Sequence, residues 1–521
     1  MKRTFLILAA AALLAGCGEG EKSASKADRL IEPMDVARIE ELYHITDELG
    51  DEIWPGFDTR QIPIAVNCCD RQELLAGHPD PPEGFRPFDV VETDTPRFHL
   101  MDGCTRFGPE GGGWLEEVGG VDAAYVSIIQ EEQTTEDYLS LLLHECFHAY
   151  QKEYRERADG DGILLPQLDA DYSAMLCLES VLLHEALAGG GDPRELATMA
   201  VAVRRERRKD LPAGMIHTEN EEEYDEGTAT YVQARLMRLM CERGGMKPLR
   251  PGADPCYHGF SDLHGPYGGY LEKIIPPRGM IVTYHHAKYH NGMAIGLLLD
   301  SLRPDWKLEM KEKGITQFDI LERACPVTES ERTRLAGKAR AMFAYDSIHA
   351  SQKELVDARV AEIRDYIERP GRRFRIYYSQ YGQGFNWKPR FRVIEVPRGL
   401  MEECEARLAI DDFDDGNRHS SPDFRPLIWT DGFERFEVCG MEFESDEVPI
   451  LFRLKYFEWI DTEPEPDLAD VSIACDAREG NIYTGMTMKT DGFTMFMPKA
   501  RVESSNRVVA VFPVIEREKS D

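Results

Sequence analysis

The spacing of apolar residues predicts that the chain begins with a helix, continues with a few strands and then becomes mostly helical. Apolar residues recur at helical spacing over residues 34–49, and Gly50 is the expected stop. Short apolar runs at 62–68, 97–101 and 123–129, separated by turn residues, predict strands. A mixed α and β domain is therefore expected near the N-terminus.

Four further segments predict helices. The first begins at Thr134 or Thr135 and runs to about Arg157, and the second covers residues 169–187. A third opens near Tyr224 and continues to about Arg243. The segment Tyr284–Gly292 is expected to lead into a fourth helix, Met293–Leu302, and residues 316–368 also have a mostly helical pattern.

After Pro370-Gly371 the pattern changes to short strands separated by turns. Residues 372–521 are therefore predicted to form a separate β-rich domain of sandwich or barrel type. The expected fold class is α+β, with an N-terminal sheet, a helical middle and this C-terminal β domain.

Composition describes a folded, strongly acidic protein. The 521 residues include 94 acidic and 61 basic side chains, which gives a formal charge of −33. This charge argues against nucleic acid as a partner. The basic run Arg204–Lys209 is interpreted as a solvated helix end or an ion-pairing surface.

The N-terminus has the pattern of a bacterial targeting segment. Lys2 and Arg3 precede an apolar run, Phe5–Leu14, which is too short for a permanent membrane span. Leu14–Cys17 resembles the lipobox of bacterial lipoproteins. The resemblance implies cleavage before Cys17 and lipid attachment to it, and therefore a membrane-anchored protein of the cell envelope, on the outer membrane facing the periplasm.

These patterns divide the chain into four parts. Residues 1–16 are the expected signal peptide, and residues 17–32 are the lipidated cysteine and a tether rich in Gly, Ser, Glu and Lys. Residues 33–371 are the expected mixed α and β domain with a helical insertion. Residues 372–521 are the β-rich domain, which is a possible binding site for a protein partner.

The most informative stretch is His144-Glu145-Cys146-Phe147-His148, a His-Glu-x-x-His sequence within a predicted helix. Residues four apart on a helix share one face, so His144 and His148 can bind one metal ion while Glu145 lies beside it. Cys146 is expected to be a small buried side chain rather than a reactive thiol.

Three segments in the same order resemble the gluzincins, zinc peptidases with two histidines and a glutamate as ligands. They are His144–His148, Glu226–Tyr231 (Glu-Gly-Thr-Ala-Thr-Tyr) and Tyr289–Gly292 (Tyr-His-Asn-Gly). The resemblance implies a zincin-like fold, a Zn²⁺ cofactor, Glu226 as the third ligand and Tyr289 as the oxyanion donor. In such enzymes an edge strand beside the metal pairs with the substrate. Val121–Ile129 is the candidate here, and an ordinary core strand is the equal alternative for this segment.

Several alternatives remain open. Glu179 lies in the apolar stripe of the second helix, and an inward carboxylate must be compensated by a metal, a cation or a histidine. It is thus an alternative third ligand, or an acceptor for a ligand histidine. His285, His286 or His290 could replace Tyr289, although the first two are expected to be surface or loop residues.

The expected function is zinc-dependent hydrolysis of peptide bonds in a peptide or protein substrate. The sequence before the motif lacks the Gly-x-Met-Glu-Asn segment of aminopeptidases, so cleavage of internal bonds is favoured. The alternatives are a catalytically inactive zincin-like scaffold that binds a partner, and zinc-dependent hydrolysis of another amide or an ester.

Overall fold

The computed structural model describes most of the first 368 residues and, beyond them, the strands of a β-rich region. The described ranges of the first part are 30–68, 71–88, 98–103, 113–127, 134–152, 166, 168–252, 254–260 and 264–368. The lipobox and the expected tether up to residue 29 lie outside the described residues.

Helix α1 (Pro33–Ile53) precedes a six-stranded mixed sheet. Its strands are β1 (Ile64–Cys68), β2 (Gln72–Ala76), β3 (Arg86–Pro87), β4 (Phe98–Asp102), β5 (Gly113–Val118) and β6 (Val121–Ser127). Helix α1 continues past Gly50, where a side chain would collide with the carbonyl of Phe57. The expected stop at this glycine is therefore wrong.

The spatial order of the strands is β3-β4-β2-β1-β6-β5, and only the β1 and β6 pair is parallel. Strand β6 is paired on both sides, by β1 and by β5. The prediction that Val121–Ile129 supplies the edge strand is therefore wrong. The edge strand on this side of the sheet is β5.

The helical part contains eleven further helices in the described residues. They are α2 (Thr135–Gln151), α3 (Ala170–Ala188), α4 (Pro193–Arg208), α5 (Ala213–Glu222), α6 (Thr228–Arg243), α7 (His264–Glu272), α8 (Tyr284–Leu302), α9 (Trp306–Lys313), α10 (Gln317–Ala324), α11 (Glu329–Met342) and α12 (Tyr345–Glu368). A π-helical turn, Glu223–Gly227, joins α5 to α6 without a break. Helix α8 begins at Tyr284, nine residues earlier than predicted, so Tyr289 lies on a helix.

An aromatic cluster in the core fixes α2 against α6. Phe147 of α2 lies 4.8 Å from Trp54, and Tyr231 of α6 lies 5.1 Å from Trp306, measured between ring centroids. Trp54 and Trp306 meet edge to face at 5.2 Å. Because all four rings are buried and packed edge to face, the two helices cannot shift independently.

The basic run at the end of α4 is not a solvated surface. Arg204 is 1% exposed and bonds Glu179 and Glu223, while Arg207 and Arg208 pair with Glu219. The expected ion pairing is confirmed, but the expected surface position is wrong for these three side chains, which are buried among the carboxylates of α3, α5 and the π turn.

The region beyond residue 368 contains the predicted strands in two sheets. The strands are β7 (Arg373–Ile376), β8 (Phe391–Pro397), β9 (Phe424–Thr430), β10 (Phe436–Val438), β11 (Met441–Ser445), β12 (Leu451–Arg453), β13 (Ser472–Ala474), β14 (Ala477–Glu479), β15 (Ile482–Lys489), β16 (Phe493–Ser504) and β17 (Val508–Pro513). Strands β8, β9 and β12 form a three-stranded sheet, and the other eight form a larger one. The β-rich character is confirmed, and the sandwich or barrel architecture stays a prediction.

Candidate metal centre

Helix α2 presents the two motif histidines on one face. Thr134 caps the helix, because its hydroxyl accepts a hydrogen bond from the backbone N–H of Asp137. The imidazole rings of His144 and His148 lie 4.7 Å apart, and both face the same cavity. Cys146 points to the opposite, buried side, as expected for a packing residue.

Glu226 lies in the π-helical turn between α5 and α6. A π turn adds one residue to the helical ladder, and such turns are frequent at functional sites. Here it places Asp225 and Glu226 together at the cavity wall. Gly227 and Gly292 permit this arrangement, because a Cβ on Gly227 would lie 2.7 Å from the Cα of Gly292 in α8.

His144, His148 and Glu226 converge on one point. The two histidine Nε2 atoms are 3.1 Å apart, and Glu226 Oε2 lies 3.4 Å from His144 Nε2 and 3.5 Å from His148 Nε2. Ligand atoms of a tetrahedral zinc ion at ordinary bond lengths are about 3.3 Å apart. The spacing therefore fits three ligands of one tetrahedral ion, and the donor set of two imidazoles and one carboxylate suits zinc.

Two glutamines determine which ring nitrogens face that point. Gln233 Oε1 lies 3.1 Å from His144 Nδ1, and Gln151 Oε1 lies 3.0 Å from His148 Nδ1. Both amide nitrogens donate to backbone carbonyls, that of Gln233 to Ser140 and that of Gln151 to Asp225, so the oxygens are free to accept. A neutral ring would thus carry its proton on Nδ1 and turn the lone pair of Nε2 toward this point.

When both rings are neutral, three lone pairs face one another, and a cation between them, either a proton or a metal ion, removes their repulsion. The electrostatics of the site agree with a cation at this position. Burial by itself would lower the pKa of His148, but Asp225 and Glu226 raise that pKa well above its usual value. Burial would raise the pKa of Glu226, but its hydrogen bonds with His144 and His148 lower that pKa far below its usual range. Positive charge is therefore strongly favoured beside Glu226.

Glu145 lies beside the three candidate ligands and is 4% exposed. Burial raises the pKa of its carboxyl group, and the two histidines offset part of this effect. The first residue of β5, Gly113, packs directly on this carboxylate, since a Cβ there would lie 2.6 Å from Glu145 Cγ. A carboxylate with a raised pKa next to a metal position is suited to proton transfer.

Tyr289 reaches the same site from α8. Its ring centroid lies 6.5 Å from that of His144, and its hydroxyl is hydrogen-bonded to Glu226. Burial and the negative charge of Glu226 raise the pKa of Tyr289, so the phenol stays protonated. Lys288 lies between Glu222 and Glu226, with its Nζ 3.8 Å from Glu226 Oε1, and thereby holds the second oxygen of this carboxylate.

Glu179 belongs to a different group of residues. Its Oε1 accepts hydrogen bonds from Arg204 at 2.8 Å and from Asn291 at 3.4 Å. The groups that face the Nδ1 atoms of the motif histidines are glutamines and Asp225, not Glu179. The inward carboxylate of Glu179 is therefore compensated by the guanidinium group of Arg204. Glu179 is neither a candidate metal ligand nor an acceptor for a candidate ligand histidine.

The site opens into a cavity of about 550 Å³. Its wall includes the first residues of β5, the motif face of α2, the π turn and parts of α7 and α8. His290 lines this cavity, whereas His285 is exposed and His286 is half-buried on α8. The cavity is large enough for several residues of an extended peptide.

Three residues of the site were missed from the sequence. Gln151 stands three positions after His148 on α2. Gln233 lies on α6, seven positions after Glu226 of the π turn. Asp225 directly precedes Glu226 and lies 3.3 Å from His148 Nδ1. The signal available was helical spacing from the ligands, because residues that orient a ligand often lie one or two turns away.

No protein-family model, curated protein or solved structure matches this chain. In the described part of the chain, no helix has both the length and the apolar character needed to cross a bilayer.

Proposed function

We propose that the protein is a zinc-dependent hydrolase that cleaves internal peptide bonds. The observation that carries this proposal is the mutual spacing of His144 Nε2, His148 Nε2 and Glu226 Oε2, at 3.1–3.5 Å. Three protein ligands on a cavity wall are typical of catalytic zinc, whereas structural zinc takes four. A bound zinc ion would lower the pKa of a water molecule toward 7 and polarise the substrate carbonyl.

The residues around the ligands have complementary roles in this proposal. The Glu145 carboxylate takes a proton from the attacking water and delivers it to the leaving amine. The protonated hydroxyl of Tyr289 donates a hydrogen bond to the oxygen that becomes negative in the transition state. Among the described strands β5 pairs with β6 alone, and an extended peptide can pair with its other edge beside Glu145.

Metal content is the first test. The full chain, purified without chelators, is expected to contain one zinc per molecule, and His144→Ala is expected to lose it. Cleavage of an N-acetylated random decapeptide library, followed by mass spectrometry, then tests hydrolysis of internal bonds. Wild type should cleave, and Glu145→Gln should lose about 100- to 10,000-fold in rate while keeping its zinc.

Two results would contradict the proposal. A zinc content unchanged in His144→Ala would exclude the metal site. Stoichiometric zinc with equal cleavage by wild type and Glu145→Gln would exclude Glu145 as the base. Absence of cleavage would support the alternative of an inactive scaffold that holds a partner.

We further propose that the mature chain begins at Cys17 and carries lipid there, which would place the enzyme at the cell envelope. The support is the Leu-Ala-Gly-Cys sequence after a short apolar run. Incorporation of a labelled fatty acid by wild type but not by Cys17→Ser, after expression in a bacterium, tests this anchor.

A further inference from the structure

The cavity of the metal centre extends to the end of α7 and the first turns of α8. Tyr270 and Lys273 line it from the first segment, and Tyr289 and His290 line it from the second. Tyr289 belongs to the proposed chemistry. Lys273 and His290, which we call the basic corner, have no role in it.

Lys273 has no carboxylate partner in the described part of the chain. Its Nζ lies 5.2 Å from the centroid of the Tyr270 ring. The other lysine that lines the cavity, Lys152, is bonded to Asp122 at 2.8 Å. Acidic residues outnumber basic ones by 94 to 61 in this chain. In so acidic a chain, a cavity lysine that forms no ion pair with the described residues is unusual.

His290 adds a neutral hydrogen-bond donor to the same place. Its ring lies 4.6 Å from that of His286, one turn earlier on α8. Burial, together with the positive charges of His286 and Lys273, lowers the pKa of His290 to about 3. Its Nδ1 is buried and forms no hydrogen bond with the described residues. Because Nδ1 has almost no exposed surface, the other ring nitrogen, Nε2, is the atom of His290 that can meet a ligand in the cavity.

The acidic residues of the cavity wall limit where a negative group can bind. Glu221 and Asp225 line the cavity from α5 and the π turn. A carboxylate is repelled there and attracted by the ammonium group of Lys273 at the α7 and α8 end. An ammonium group with three donors and a neighbouring imidazole is a suitable receptor for a carboxylate.

We propose that the basic corner binds a carboxylate of the substrate, so that peptides with an acidic side chain or a free C-terminus near the cleaved bond are preferred. The preference in cleavage rests on the proposed function, whereas carboxylate binding at Lys273 does not. Lys273 and His290 are thus specificity-determining residues.

The test uses N-acetylated random decapeptide libraries in three versions. The first lacks Asp and Glu and ends in an amide, the second allows Glu but ends in an amide, and the third lacks acidic residues but ends in a free carboxylate. Wild type is expected to cleave the second or the third about tenfold faster than the first. Which of the two is preferred identifies the source of the carboxylate.

Lys273→Met is expected to remove this preference and to leave cleavage of the neutral library within twofold. Lys152→Met is the matched control, because Lys152 lines the same cavity but is already paired with Asp122. Lys273→Met should keep its zinc and its fold, since the side chain is exposed. If Lys273→Met loses the same fraction of its cleavage rate on all three libraries, or keeps the wild-type preference, the proposal is overturned.

A binding measurement separates this inference from the proposed function. Zinc-loaded Glu145→Gln should bind the preferred carboxylate library about tenfold more tightly than the neutral one in calorimetry, and Lys273→Met in that background should abolish the difference. If wild type cleaves nothing but this difference persists, the hydrolase proposal fails and the basic corner stands. If wild type cleaves all libraries equally, the basic corner fails and the hydrolase stands. If Glu145→Gln binds none of the libraries, carboxylate recognition is excluded.

Discussion

Gly113 and Glu145 are packed so closely that no side chain fits between the edge strand and the proposed catalytic base. A Cβ on Gly113 would lie 2.6 Å from Glu145 Cγ, well inside van der Waals contact. The glycine therefore brings the backbone of β5 onto the carboxylate. This contact connects the strand proposed to hold the substrate with the group proposed to move the proton.

Gly113→Ala is expected to reduce kcat by roughly 10- to 100-fold, because the new methyl group displaces Glu145 and a small misplacement of a catalytic group costs that much. The zinc content should not change, since the ligands lie on other residues. Peptide cleavage and metal analysis of the same sample measure both quantities. Gly337→Ala is the control, because Gly337 is exposed on α11 and a Cβ there meets nothing within 4 Å. A normal kcat for Gly113→Ala would contradict the assignment of Glu145.

Gln151→Ala is expected to weaken zinc binding by roughly 10- to 100-fold, as is usual when the partner of a ligand histidine is removed. Gln151 supports two ligands, because its oxygen faces His148 Nδ1 and its nitrogen donates to the carbonyl of Asp225 beside Glu226. Competition with a fluorescent zinc chelator measures the affinity.

Gln151→Glu separates the contact of Gln151 with His148 from its contact with the carbonyl of Asp225. The glutamate keeps an acceptor for His148 but loses the donor to the π turn, so an intermediate affinity is expected. If Gln151→Ala binds zinc as tightly as wild type, the side chain does not orient the ligands.

The candidate metal ligands could be predicted from the sequence better than the arrangement of helices and strands that positions them. His144 and His148 follow from helical spacing and from a motif whose chemistry requires those residue types, whereas Glu226 follows only from the resemblance to the gluzincins. The N-cap of α2 also follows from local rules, which left Thr134 and Thr135 as the candidates, because capping depends on residues within one turn.

The parts that could not be predicted depend on contacts between distant segments. The edge position of β5 depends on the order of strands in space, and the predicted runs gave no order. The π turn at 223–227 has no hydrophobic period of its own, because it is only one turn long. Arg204 looks like any solvated arginine until Glu179 and Glu223 are brought to it by tertiary folding.

Gly292→Ala is expected to destabilise the fold by about 1–3 kcal/mol, because its Cβ would lie 2.6 Å from the Cα of Gly227 and backbone cannot move aside easily. The same displacement shifts the π turn and should weaken zinc binding. Urea unfolding and chelator competition measure the two effects.

Gly296→Ala provides the contrast on the same helix. A Cβ at Gly296 would lie 2.6 Å from the ring of Tyr231, which is in the core rather than at the π turn. It should destabilise the fold to a similar degree without a change in zinc affinity. Equal loss of zinc affinity in both variants would show that the Gly227 and Gly292 contact has no specific role at the metal.

The buried ion pairs behind the π turn predict how stability depends on pH. Burial alone would raise the pKa of Glu219, but Arg207 and Arg208 lower it from 4.5 to about 2. A carboxylate with a lowered folded-state pKa contributes stability above its unfolded value, and that contribution is lost as pH falls through the folded value. The contribution of Glu219 should thus be complete above about pH 4.5 and disappear between about pH 4.5 and 2.

Glu219→Gln isolates this effect. At pH 7 the variant should be the less stable protein, because Arg207 and Arg208 lose a buried charged partner. Toward pH 2 the difference in unfolding free energy should narrow by about 3 kcal/mol, which corresponds to the change in pKa. Urea unfolding of both proteins from pH 7 to 2.5, with a chelator present throughout, measures the difference without a contribution from metal loss. A difference that stays constant over this range would show that Glu219 is not held ionised by these arginines.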